Sequence, residues 1–121
     1  MMYYAAKDGV WQISEGSDTP TLSIGDAAAG THVKVTCNFT ARTMSDDNGQ
    51  GFYYRIVSNS ASALTPVSSV FQGCDGWQTA TLVGLFEVTT TDDETTFSVV
   101  FDAGDMDGKG TLLNFTLLAE T

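Results

Sequence analysis

From residue 94 to residue 102 the chain alternates, with Phe97, Val99 and Phe101 on one side and Thr96, Ser98 and Asp102 on the other. A repeat of two puts every second side chain on the same face of a pleated sheet. This stretch therefore folds as a half-buried strand and not as a helix, whose repeat is longer. Residues 78–90 and 111–120 carry strand chemistry on either side of it. Thr91-Asp92-Asp93 joins the first pair, and residues 103–110, rich in Asp and Gly, join the second. A three-strand antiparallel meander closes the chain, and everything upstream must pack on it.

The same alternation recurs upstream. Over residues 32–40, Val33, Val35, Cys37 and Phe39 face inward while His32, Lys34, Thr36, Asn38 and Thr40 face outward. Over residues 52–59, Phe52, Tyr54 and Ile56 share a face opposite Tyr53, Arg55 and Val57. Residues 21–24 read as a short strand. Residues 64–72 read as a weaker one containing Pro66, which cannot donate to a ladder and so marks an edge or a strand start. Met1-Met2-Tyr3-Tyr4 is too apolar to stay wholly exposed. It reads as a strand or arm packed on its own domain, or as an arm within residues 1–14 that packs on a neighbouring subunit; a tight turn at Lys7-Asp8-Gly9 and a short strand over residues 10–14 suggest an N-terminal hairpin. Residues 15–20, 25–30, 42–51 and 73–76 collect turn formers, and residues 58–63 form a linker of small side chains. Turns recurring about every ten residues predict an all-β chain: one antiparallel β-sandwich over residues 1–121, jelly-roll-like, with about eight strands.

Composition narrows the function classes. A chain of 121 residues that is 42% hydrophobic buries a sizeable core. The net charge is −10, with five basic residues in all. Nucleic acids and anionic membranes draw Lys and Arg, so neither is an expected partner. The chain starts without a basic stretch leading into an apolar core, and no apolar run is long enough to cross a bilayer, so no secretory leader or anchor is expected.

Chemistry is sparse. Asp102, Asp105 and Asp107, in an Asp-x-Asp-Gly setting, are candidate oxygen ligands for Ca2+, although Asn114 stands where a calcium loop closes with Glu. Asp46-Asp47-Asn48-Gly49 and Asp92-Asp93-Glu94 are acidic too, and read as turns in which Asp and Asn bond their own backbone. His32 is the sole histidine, outward at a strand start, with no spacing that ties it to a nucleophile. Cys37 reads as a buried thiol, and a disulfide to Cys74 is left open. Trp11, Tyr53 and Trp77 are candidates for a sugar-stacking platform, against ordinary packing. Asn38-Phe39-Thr40 and Asn114-Phe115-Thr116 match a glycosylation pattern, but inside expected strands. No catalytic constellation assembles, so the chain is not expected to be an enzyme, and no cofactor is implied.

Several strands are apolar on both faces. Val83 and Leu85 oppose Leu82, Phe86 and Val88; Leu112 and Leu118 oppose Leu113, Phe115 and Leu117; Tyr53 and Val57 oppose Tyr54 and Ile56. A sheet with one face in water does not need this. Either other parts of the chain cover that face or a second subunit does; on the second reading Tyr53, Val57, Val83, Leu85, Leu112 and Leu118 are expected at an interface between copies of the chain. A trimer is the first expectation, because sandwiches packed about a three-fold axis are common in shell and fibre proteins.

The run Gly84-Leu85-Phe86-Glu87-Val88-Thr89-Thr90, then Thr96-Phe97-Ser98-Val99-Val100-Phe101 and Leu113-Asn114-Phe115-Thr116-Leu117, resembles the closing strands of small β-sandwich virion proteins of tailed bacteriophages. The likeness covers about a third of the chain and is a pattern of strand chemistry, so it transfers no functional residue. It implies a structural role in capsid decoration or a fibre head, as a compact oligomer located in the virion, made in the host cytoplasm and released on lysis. Its partners would be further copies of itself and a major capsid or tail protein. The competing expectation is a carbohydrate- or host-receptor-binding sandwich.

Overall fold

A computed structural model describes residues 1–13, 19–43, 50–73, 75–91 and 94–121. Among these residues there are nine strands: β1 (Met2–Gln12), β2 (Leu22–Asp26), β3 (His32–Arg42), β4 (Gly51–Ser58), β5 (Ala61–Ala63), β6 (Ser68–Gln72), β7 (Gln78–Val88), β8 (Glu94–Asp102) and β9 (Thr111–Glu120). They form a larger sheet ordered β1-β9-β3-β7-β5 and a smaller one ordered β2-β8-β4-β6, with every pairing antiparallel.

The pairing is nested. β1 meets β9, β2 meets β8, β3 meets β7 and β4 meets β6. The chain is thus one long hairpin with its turning point near Ser60, rolled up so that β3 also meets β9 and β4 also meets β8. That is the expected jelly-roll sandwich. The turning point is held by polar side chains. Ser60 is buried; its Oγ donates to Thr95 Oγ1 at 2.9 Å and its carbonyl accepts from Thr89 N at 2.9 Å. Asn59 Nδ2 donates to the Glu94 carbonyl at 2.8 Å, and Asn59 Oδ1 accepts from Thr96 N at 2.9 Å. These contacts satisfy Ser60, Thr95 and Asn59, whereas the buried Ser58 Oγ beside them has no partner among the described residues.

The core lies between the sheets and is built from the alternating residues. Val33, Val35, Cys37 and Phe39 of β3 face Phe52, Tyr54 and Ile56 of β4 and Phe97 and Val99 of β8, all buried. Phe39 is the hub of an aromatic cluster that joins the layers. Its ring centroid is 5.0 Å from Tyr54, 6.0 Å from Phe101 and 6.3 Å from Phe115. Edge-on and offset rings of this kind add about 0.5–1.5 kcal/mol per pair beyond area burial.

Three expectations change. First, the N-terminal segment packs on its own domain as one strand and not as a hairpin. β1 runs unbroken along β9, and Lys7-Asp8-Gly9 is a bulge where the register shifts, with Gly9 at φ +83°. A bulge and a tight turn both ask for Gly at positive φ, and local sequence does not separate them. Second, residues 64–72 are not one strand. β5, from the stretch read as a linker, joins the larger sheet, and β6 lies in the smaller one. Pro66 sits where the chain crosses between layers, which a missing N–H allows. Third, β9 changes parity within itself. Asn38 pairs with Thr116 but Thr40 pairs with Leu113, so Phe39 opposes two residues, Asn114 and Phe115. Asn114 takes φ +58° as the extra residue. The bulge turns Leu112 into the core with no accessible surface and leaves Leu113 facing out, opposite to the alternation expected for both.

Candidate functional site

The outer face of the smaller sheet holds a cavity of about 330 Å3 lined by Tyr53, Tyr54, Arg55, Ser68, Val100, Asp102, Gly104 and Asp105. Register explains its floor. Tyr53 pairs with Asp102 on β8 and Val70 on β6, and Arg55 pairs with Val100 and Ser68. Two outward rows three strands wide therefore lie side by side. The wall is the loop over residues 103–110, which folds back over the sheet. Tyr53 Oη donates to Asp105 Oδ1, Asp102 Oδ1 accepts from Gly104 N at 3.0 Å, and Met106 N donates to the Ala103 carbonyl at 2.9 Å. Gly104, at φ +56°, passes so close that a Cβ there would lie 2.4 Å from the Tyr53 ring. Only glycine satisfies both that dihedral and that approach.

The charges within the cavity are split. Asp102 and Asp105 bring two carboxylates and Arg55 one guanidinium, and among the described residues no ion pair or hydrogen bond reaches that guanidinium. The Asp105 hydrogen bond, with lesser help from desolvation and charge, holds the Tyr53 phenol above its ordinary range. Tyr53 is therefore a proton donor here and not a phenolate.

The three aspartates singled out for Ca2+ do not converge. Asp105 takes the Tyr53 hydroxyl and Asp102 caps its own turn. Asp107 Oδ1 accepts from Gly51 N and Lys109 N, both at 3.1 Å, which ties the loop to the start of β4. No cluster of three or more His, Cys, Asp or Glu side chains suited to a metal ion occurs among the described residues. Asp46-Asp47-Asn48-Gly49, Asp92-Asp93 and Cys74 lie outside those residues. Cys37 is a free buried thiol, which burial pushes up to about 12. His32 is outward as expected, 3.5 Å from Glu87, its partner across the ladder.

The six expected interface residues separate. Val83, Leu85 and Leu118 lie on the outer face of the larger sheet. Tyr53 and Val57 lie on the smaller one, where Tyr53 belongs to the cavity, and Leu112 is core. Tyr4, singled out in the sequence only as part of the apolar N-terminal run, completes an outward row Tyr4-Leu118-Thr36-Val83 across four strands. Tyr4 is 69%, Val83 45% and Leu85 44% exposed. The adjoining rows are mostly uncharged: Ala6-Thr116-Asn38-Thr81 and Val10-Leu113-Thr40-Thr79. Among the described residues, charge on this face is confined to Lys34 with its register partner Glu120, the His32–Glu87 pair, and Asp8 and Arg42 near its margin. The three-aromatic platform is likewise dispersed. Trp11 is core, edge-on to Phe101 at 5.8 Å. Trp77 stands at the start of β7 beneath the Arg42 guanidinium, and Tyr53 is on the other sheet.

No protein-family model matches this chain, and no curated protein sequence matches it significantly.

Proposed function

We propose that this chain is a non-enzymatic structural protein of a virion, a capsid decoration protein or a fibre-head component, that assembles with copies of itself through the outer face of the larger sheet. The observation that carries the reading is electrostatic. The chain has a net charge of −10, yet this face is nearly neutral and presents Tyr4, Val83, Leu85 and Leu118 among threonines. Copies repel one another elsewhere and meet here at least cost. Four long strands about 4.8 Å apart and about 10 residues long present roughly 600 Å2 of flat surface, near the ~800 Å2 per partner of a standard interface. Each Å2 of apolar surface removed from water contributes about 25 cal/mol.

The virion setting is supported by the jelly-roll topology, which recurs in viral capsids and in lectins, and by the strand chemistry of the closing meander. A trimer that seats on a capsid or tail lattice is the form it predicts. Light scattering coupled to size exclusion tests the assembly. The expected mass is three times the 12.9 kDa of one chain, falling to one chain when Val83→Lys and Leu85→Lys are combined. A wild-type monomer at micromolar concentration overturns the reading. Binding to purified capsids or tails, lost in the same double variant, tests the setting.

A further inference from the structure

The geometry points to the cavity over Tyr53 as a binding site for a neutral saccharide of about one or two rings. Its volume of about 330 Å3 falls at the small end of the ~300–1,000 Å3 typical of ligand pockets. The chemistry of the lining selects the class. Asp102 and Asp105 each have one carboxylate oxygen tied into the loop, to Gly104 N and to Tyr53 Oη, and a second oxygen left to accept from a hydroxyl. The Arg55 guanidinium faces the same space as a fork of donors, and among the described residues no ion pair or hydrogen bond engages it. Ser68 both donates and accepts, and Val100 with the Tyr53 ring offers an apolar wall for sugar C–H groups.

Other ligand classes fit worse. A phosphate, sulfate or sialic acid would meet two carboxylates for one guanidinium, on a chain already at −10. A metal ion would meet the Arg55 cation, with Asp107 turned away to Gly51 and Lys109. A purely apolar ligand would strand the charged groups without partners. A polyol satisfies both signs at once: its hydroxyls donate to the carboxylates and accept from the guanidinium, across a gap the protein does not close itself. The cavity also lies on the sheet opposite the proposed assembly face, so it stays open in an oligomer. Several weak sites on one particle would then gain about 10²–10⁴ in avidity.

The test is a glycan array carrying neutral oligosaccharides beside their sialylated and sulfated counterparts, followed by saturation-transfer NMR with glucose, galactose, mannose, N-acetylglucosamine, lactose and maltose. The expected result is binding of at least one neutral sugar, weakened about tenfold or more by Arg55→Gln and by Asp102→Asn. Both variants keep the fold by near-ultraviolet circular dichroism, since Arg55 is exposed and Asn keeps the turn to Gly104. Silence across the neutral sugars, binding confined to anionic glycans, or binding that survives both substitutions overturns the assignment. The monomeric Val83→Lys/Leu85→Lys variant should keep the NMR signal, so failure of the assembly reading and failure of this one are read separately.

Discussion

Leu112 and Phe115 both point into the core with no accessible surface, although three residues along a regular strand should place them on opposite faces. The residue that reconciles them is Asn114, which takes φ +58° and adds one position to β9 opposite Phe39. Asn tolerates the left-handed region because its short side chain bonds locally, whereas a β-branched side chain clashes there. Asn114→Gly should leave stability within about 0.5 kcal/mol of wild type, and Asn114→Val should cost about 1–3 kcal/mol. Urea unfolding midpoints measure both. Equal stability of the Val variant would mean that the bulge is not where the strand changes parity.

The same parity change separates two leucines that look alike in sequence. Leu85→Lys places a charge on an exposed face and should alter the stability of the folded chain by about 0.5 kcal/mol or less. Leu112→Lys buries an unpaired ammonium between the sheets and should cost more than ~4 kcal/mol, enough to unfold a domain of ordinary stability. Soluble expression and circular dichroism distinguish them. A well-folded Leu112→Lys protein would place that side chain outside the core.

Tyr53 should be identifiable in a spectrophotometric titration. Its phenol lies above the usual range because the neutral form donates to the Asp105 carboxylate. The native state therefore holds this proton after the unfolded state has released its own. The stabilisation is complete below the unfolded value near 10 and is lost as pH rises through the higher folded value. Tyr53→Phe should delete a late-titrating component of the tyrosinate absorbance, and Asp105→Asn should move it back to lower pH. A tyrosinate curve unchanged by either variant would break the link between the loop and β4.

Cys37 should be inert in the native protein. It has no accessible surface, and desolvation raises its thiol from 9.0 to about 12, so the reactive thiolate is scarce. Iodoacetamide at about pH 8 should leave Cys37 unmodified until denaturant opens the sandwich, as peptide mass spectrometry would report. Native-state labelling at the rate of an exposed thiol would show that β3 opens locally.

Much of the fold was legible because its signal is local. Val33 to Phe39, Phe52 to Ile56 and Phe97 to Val99 alternate without interruption, and each stretch turns the expected side inward. The bulges were not legible. Asp8-Gly9 carries a dipeptide that serves turns and bulges alike, and Asn114 sits inside a run that reads as unbroken strand. The cavity was half visible. Asp102 and Asp105 stood out as a cluster, and Tyr53 stood out as an aromatic with apolar neighbours. Arg55 shared the Tyr53 face in the pattern but carried no role, and Ser68 drew no notice, since nothing in a one-dimensional pattern places β4 between β8 and β6.

Side-chain alternation, written into neighbouring residues, determined by itself that this chain forms strands and that they bury one face. Which outward residues share a surface was decided only when β1 closed on β9 and β3 settled between β9 and β7. The physical reason is that a strand's own pattern specifies which side is greasy but not its neighbour. That choice follows from how the whole long hairpin rolls, and the roll divides Val83 and Leu85 from Tyr53 and Val57 while drawing Leu112 inside.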